Sequence, residues 1–323
     1  MDPQRGASSR RPGRAVVVGM LVATMASWSL CYPLIRLGLA YAPPFHFAAL
    51  RALLAGAALC LLGLAARRPL PRRAAAWAWL SLAGLGATTT GFYGMFFAGE
   101  LVAPGVATIV ANTQPLIAAI LAFLVLRERL EKVQWLGLLL GFAGILAIAG
   151  PTLRSGGSPS ALAGYAYVLV AALGVAVGNL AIKRVADRVD AFVAMGAQLL
   201  IGALPLVGLA RMLERPSEAL WSLPFLAVLA SVGLVGTSLA FVLWCTALRH
   251  IELSRANTFS FLTPLFAVFI GYVGYGERLG WNDAAGAGAI LAGLWCVSRA
   301  SRDASAGASP RRGTTCRSAR SSP

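Results

Sequence analysis

Charge is almost absent from ten long stretches of this chain, and that absence constrains the fold more than any motif does. The apolar runs cover 15–35, 37–66, 74–99, 101–126, 133–153, 155–182, 191–210, 219–248, 256–276 and about 279–298. Arg51 is the one charge in the second run and Asp283 the one in the last. A helix needs about 20 residues to cross the hydrocarbon core of a bilayer, and each run can supply them. Charged residues make up only 12% of the sequence, about half the share of a soluble domain. Such a chain is not disordered, collagen-like or held together by disulfides, and an ordinary soluble enzyme fits it poorly. The expected fold is an all-α integral membrane protein with ten transmembrane helices. A basic tail (1–14) precedes them and a second basic tail (299–323) follows; both read as disordered.

The net charge of +16 would suit a nucleic-acid binder, but its placement does not. The basic residues sit between the apolar runs and in the tails, with no basic face interleaved with aromatics. With the N-terminus inside and the runs numbered in order, 22 of the 28 Lys and Arg fall on the inner side. That is the positive-inside pattern, and it predicts cytoplasmic termini and an uncleaved first span. The lipid bilayer is thus the expected partner and nucleic acid is not. Arg outnumbers Lys 26 to 2, a GC-rich codon signature that points to a bacterial plasma (inner) membrane. The five cysteines (Cys31, Cys60, Cys245, Cys296 and Cys316) form no CxxC pair, so neither disulfides nor a metal site is expected, and nothing calls for a cofactor.

The chain also repeats itself. Aligning 107–149 with 256–298 gives ten identities in 43 positions, among them Pro115 with Pro264 and Glu128-Arg129-Leu130 with Glu277-Arg278-Leu279. A looser match sets Arg36 and Arg51 against Lys183 and Gln198. Five spans per repeat is an odd number, so the second copy is inverted in the membrane, an architecture common among secondary transporters.

These same blocks resemble a known family. The segment holding Ala111-Asn112-Thr113-Gln114-Pro115-Leu116, Arg127-Glu128-Arg129-Leu130 and Gln134-Trp135-Leu136-Gly137 is similar to the fourth and fifth helices of an EamA domain. Thr263-Pro264-Leu265 and Gly276-Glu277-Arg278-Leu279 resemble the second copy, and Trp28-Ser29 through Arg51 the opening helices. The family is the EamA branch of the drug/metabolite transporter superfamily. The resemblance implies ten helices in two repeats (15–150 and 161–298), cytoplasmic termini and transport of a small molecule, often export of amino acids or related metabolites.

Polar side chains within apolar runs must face protein or a wet cavity. The expected substrate pathway is Trp28, Tyr32, Tyr93, Asn112, Gln114, Asn179, Trp244, Asn257, Ser260 and Thr263, with Pro33, Pro115 and Pro264 as hinges. The hydroxyls could instead bond back to their own helices, and some aromatics could belong to an interfacial belt. Arg51 could snorkel outward, hold a helix break or bind a carboxylate. Glu128, Arg129, Glu277 and Arg278 sit at span ends, where they are expected to cap and orient helices. The glycines Gly137, Gly141 and Gly144, with Gly286, Gly288 and Gly293, suit close packing either inside the bundle or across a homodimer.

No Asp or Glu lies in the middle of a run, so obligate proton coupling is not expected. Neither His46 nor His250 is mid-run, and the HExxH, GxSxG and P-loop patterns are absent, so the chain does not read as an enzyme. The alternatives to a metabolite exporter are a carrier for drugs or lipophilic cations and a non-transporting membrane scaffold.

Overall fold

The computed structural model describes residues 12–95, 111, 113–128, 131–153, 159–215, 221–263, 265–266, 269 and 281–307. All regular structure among them is helical. The chain runs through α1 (Arg14–Gly38) and α2 (Pro44–Ala65) into α3 (Ala74–Ala83), which continues through Gly84–Thr90. Then come α4 (Gln114–Leu121, continued by Ala122–Leu126), α5 (Lys132–Leu153), α6 (Pro159–Val185) and α7 (Ala191–Leu213). Helix α8 is built in series from Leu223–Ala230, Ser231–Leu239 and Ala240–Leu248. Helix α9 (Leu253–Thr258) leads into a tight turn at Phe259–Phe261, and α10 (Trp281–Gly307) ends the bundle. Five stretches are long and apolar enough to cross a membrane: Arg14–Cys31, Pro44–Ala65, Ala166–Val185, Ala191–Leu213 and Leu223–Leu248.

The polarity is that of a protein built for lipid. Leu61, Leu62, Leu204 and Leu226 point outward, while Arg51, Thr88, Gln114, Asn179, Gln198, Thr237 and Asn257 are buried. In water the reverse arrangement would be favoured; in a bilayer, polar groups gain by facing one another.

Helix α2 packs on α7, α1 on α8, α3 on α6 and α7, α4 on α6 and α9, and α5 on α10. Glycine sets the closest crossings. A Cβ on Gly84 would lie 2.5 Å from the Gln198 carbonyl oxygen, and one on Gly293 would lie 2.5 Å from that of Gly137. The small-residue stripes of α5 and α10 therefore meet inside the bundle: Gly144 faces Gly286, and Gly293 faces Gly137 and Gly141. A Cβ on Gly288 would meet nothing within 4 Å, unlike one on Gly141, Gly144 or Gly293.

Three segments wind to the wide π-turn, Gly84–Thr90 in α3, Ala122–Leu126 in α4 and Ser231–Leu239 in α8, a geometry usually confined to single bulges near functional sites. In α3 and α8 the local reason is visible in the side chains. Thr90 Oγ1 donates to the Leu85 carbonyl, Thr237 Oγ1 to that of Val232 and Ser238 Oγ to that of Gly233, each five residues back. Hydroxyls bonded at that spacing suit a helix wound to i→i+5.

Candidate functional site

Between the helices lies a cavity of about 210 Å³. A single water needs about 10–15 Å³ on the same measure, so a small metabolite has room. Helix α1 contributes Trp28, α2 Arg51, α4 Gln114, α6 Asn179, α7 Gln198 and α8 Trp244; Ser260 and Thr263 complete its polar lining. The described parts of α5 and α10 contribute nothing to it. Most of the wall is apolar.

The structure thus gathers six of the ten expected pathway residues around one space. Asn257 sits just behind the wall and is addressed below. Tyr93 does not line the cavity; it stacks on Phe45 at 5.9 Å and meets Tyr167 edge-on at 6.0 Å. Asn112, Arg129, Pro264, Glu277 and Arg278 lie outside the described residues, and so do the side chains of Tyr32 and Pro33 on α1. Pro115 occupies the first turn of α4, after Thr113. An N–H missing there has no helical acceptor to lose.

An amide network closes one end of the cavity. Asn257, 1% exposed, accepts from Gln114 Nε2 at 2.7 Å and from Asn179 Nδ2 at 3.3 Å on the same Oδ1. Its own Nδ2 donates to the Leu253 carbonyl at 2.9 Å. Asn179 Oδ1 in turn accepts from Trp244 Nε1 at 3.1 Å. Four helices (α4, α6, α8 and α9) are joined through this one chain of hydrogen bonds. Trp28 lies against Trp244, with ring centres 5.6 Å apart, and against Phe241 at 6.0 Å.

Arg51 was expected to be structural or to bind a carboxylate, and its side chain forms part of the cavity wall. Its Nε donates to Thr237 Oγ1 at 2.9 Å, and its guanidinium lies 4.5 Å from the centre of the Phe92 ring. Across the bundle, Gln198 Nε2 donates to Thr88 Oγ1 at 3.4 Å. Beside these, Ser238 Oγ donates to the Ala55 carbonyl at 3.3 Å and Thr89 Oγ1 to that of Gly202 at 2.8 Å. Cys31 approaches Gly236, and Ala87 approaches Gly178.

Beyond the amide network the same end is polar and charged. Glu128 accepts from Leu253 N (3.0 Å), Ser254 N (3.1 Å) and Ser254 Oγ (2.8 Å). It caps α9 from the far end of α4, a stabilising charge at a helix N-terminus. Lys183 donates to the Leu248 and Ile251 carbonyls, and Arg249 to that of Val189. At the opposite end Glu214 accepts from Phe45 N at 2.7 Å and His46 N at 2.8 Å, and so caps α2. Sequence reasoning did not single out Glu214. Its partners lie 168 or 169 residues away, and no local pattern records that.

Glu252 gives a pH prediction. Burial pushes its carboxyl up, Arg255 (2.7 Å away) opposes the shift, and Glu128 adds to it; Lys183 and Glu131 act more weakly in opposite senses. The folded chain therefore holds this proton more tightly than the unfolded chain does. Its contribution to stability falls as pH rises from the ordinary glutamate value, about 4.3, through the raised one. Glu252→Gln removes that slope. The variant should match or exceed the parent's Tm near pH 7, and its Tm should vary less down to about pH 5. A variant that loses more Tm near pH 7 than near pH 5 would mean that the ion pair outweighs burial.

A helical bundle with an apolar exterior, buried polar contacts and a metabolite-sized internal cavity defines a membrane carrier. The chain belongs to the EamA-like transporter family, which it matches over residues 15–150 and 162–299, within the drug/metabolite transporter superfamily. A transporter of Synechocystis sp. is 28% identical over 86% of this chain and 88% of its own length. A Salmonella typhimurium protein described as a "probable amino-acid metabolite efflux pump" is 28% identical over 89% of this chain and 94% of its own. One solved crystal structure has the same fold, with a TM-score of 0.77 at 23% identity, covering 88% of this chain and 98% of that one.

Proposed function

We propose that this chain is a secondary transporter that exports a small metabolite, an amino acid or a related compound, across the bacterial plasma membrane by alternating access. In this reading it has ten spans in two inverted five-helix repeats (15–150 and 161–298), with both termini in the cytoplasm. It is a carrier and not an enzyme.

The observation that carries the reading is the pairing of contacts around the cavity. Arg51–Thr237 joins α2 to α8, and Gln198–Thr88 joins α7 to α3. The repeat exchanges the two: Arg51 stands where Gln198 does in the looser match of the opening helices, and Thr88 where Thr237 does in the register that sets 107–149 against 256–298. Ala55–Ser238 exchanges with Gly202–Thr89 in the same way, and Cys31–Gly236 with Gly178–Ala87. The wide-turned segments of α3 and α8 occupy equivalent places as well. Swapped pairs of this kind are what a two-fold axis through the cavity generates, and two such halves can rock about a central site.

The export direction is taken from the relative described as an efflux pump; the positive-inside pattern supports only the cytoplasmic termini. Among the described residues lining the cavity there is no Asp or Glu, in keeping with exchange-type movement without obligate proton coupling. A polar-ended cavity of this volume has no use in a scaffold.

Counterflow in proteoliposomes tests the reading. Vesicles loaded with neutral amino acids and related acids should accumulate the labelled compound from outside, and empty vesicles should not. Folded, monodisperse protein that gives no counterflow and no ligand-induced Tm rise with any of them would overturn it in favour of a scaffold.

A further inference from the structure

Eight residues join α2 to α3, and four of them are arginines. The loop Ala66-Arg67-Arg68-Pro69-Leu70-Pro71-Arg72-Arg73 holds no acid, and its arginines are all exposed. It leaves the membrane span Pro44–Ala65 at that span's last residue, so it lies at the bilayer surface. Arg68 meets a counter-charge, with its Nε 3.7 Å from Asp190 Oδ2. Among the described residues Arg67, Arg72 and Arg73 make no ion pair.

The fold does not ask for these three charges. Helix α2 ends in a Schellman turn, in which Arg67 N donates to the Leu64 carbonyl at 2.9 Å and Arg68 N to that of Gly63 at 2.8 Å. Such a turn needs one left-handed residue, most often glycine. Here Arg67 takes that place at φ 49°, a conformation that costs a side chain and not a glycine. Arg72 and Arg73 precede α3, and a helix dipole disfavours positive charge at that end. Three guanidiniums are thus held at the bilayer surface, one against backbone preference and two against a dipole.

The loop that carries them is stiff and partly apolar. Pro69 and Pro71 each fix a φ angle, and Trp77 Nε1, early in α3, donates to the Pro71 carbonyl at 3.0 Å. Leu70 and Trp77 are exposed beside the arginines. A guanidinium gives a phosphate two parallel hydrogen bonds, and a tryptophan favours the depth where headgroup meets acyl chain. The two kinds of side chain match the two parts of a phospholipid.

We propose that the α2–α3 loop is a binding site for an anionic phospholipid of the surrounding bilayer. Arg67, Arg72 and Arg73 hold the headgroup phosphate, and Leu70 and Trp77 lie against the start of the acyl chains. Arg68 ties the loop to α7 through Asp190, which caps that helix by accepting from Phe192 N at 3.0 Å. The lipid therefore anchors the corner where α3 and α2 both pack on α7. The site requires only that the chain is embedded in a membrane, and it holds whatever the substrate.

Thermal unfolding of the purified full chain tests this. The neutral detergent is doped with phosphatidylglycerol or with phosphatidylcholine of the same acyl chains, and a lipid that binds the folded state raises Tm. Phosphatidylglycerol is expected to raise Tm and phosphatidylcholine is not. Soluble glycerol phosphate, the headgroup without its chains, should give no rise at the same concentration. A charge near an anionic surface strengthens binding about fivefold. The double variant Arg72→Gln with Arg73→Gln should therefore keep its Tm in neutral detergent and bind phosphatidylglycerol about 25-fold more weakly. Arg67→Gly separates the roles further: its Tm in neutral detergent should rise as the left-handed strain is relieved, while its response to phosphatidylglycerol falls. Arg211→Gln, in the last turn of α7 and so at the opposite end of the bundle, should respond as the parent does. Equal rises with the two lipids, or an undiminished rise with phosphatidylglycerol in the double variant, would overturn the site. So would a matching rise with glycerol phosphate, which would mean a phosphate site without lipid. An equal loss of response in Arg211→Gln would overturn it as well, because surface charge alone would then account for the binding.

Discussion

Replacing Asn257 by leucine is expected to abolish counterflow and to destabilise the bundle by about 2–6 kcal/mol, since each buried donor left without an acceptor costs about 1–3 kcal/mol. The two donors are Gln114 Nε2 and Asn179 Nδ2, both held by Asn257 Oδ1 in a site 1% exposed. Both donors also line the cavity, where water can take up part of the lost bonding, so the loss belongs toward the lower end of that range. The double variant Gln114→Leu with Asn257→Leu should recover part of the lost stability, because it removes one of the two orphaned donors. It should not recover transport, because the closed end of the cavity has lost its polar lock. Thermal unfolding in detergent reads the first effect and counterflow reads the second. A single Asn257→Leu protein as stable and as active as the parent would remove the amide network from the mechanism.

The second large effect concerns the glycine crossings. Gly202→Ala places a Cβ 2.5 Å from the Gly84 carbonyl oxygen and 2.5 Å from Thr88 Cβ. Backbone cannot rotate aside as a long side chain can. The cost belongs at the upper end of the 1–3 kcal/mol typical of overpacking, or above it. Gly293→Ala, 2.5 Å from the Gly137 carbonyl oxygen and 3.0 Å from the Gly141 nitrogen, should behave alike. Gly288→Ala meets nothing within 4 Å and should gain up to about 1 kcal/mol from helix propensity. The three variants share one chemical change and differ only in what the new methyl group touches. Equal Tm values for Gly288→Ala and Gly293→Ala would show that the α5–α10 contact is not as described.

Two carboxylates mark the limit of local reading. Glu128 was legible as a capping residue, because an acid beside a span end favours a helix N-terminus. Which helix it caps was not, since α9 begins 125 residues further on. Glu214 left no signal at all: it follows α7 and caps α2, whose own N-cap is Pro43. A proline side chain offers no acceptor there, so the cap had to come from elsewhere in the fold.

Other features were determined by the sequence itself. Runs without charge dictate helices, because lipid offers no partner for an open backbone. Polar residues within those runs must converge, because burying them singly is costly. The sequence therefore expects Trp28, Gln114, Asn179, Trp244, Ser260 and Thr263 to share one space, and all six lie along the cavity wall. The tertiary structure decided the rest. It placed Arg51 in the wall and Tyr93 away from it, turned the glycine stripes of α5 and α10 toward each other, and unwound Gly84–Thr90 and Ser231–Leu239 into wide turns. The physical reason is shared. A residue's chemistry fixes whether it must be buried, but only the packing of distant helices fixes which partner it meets there.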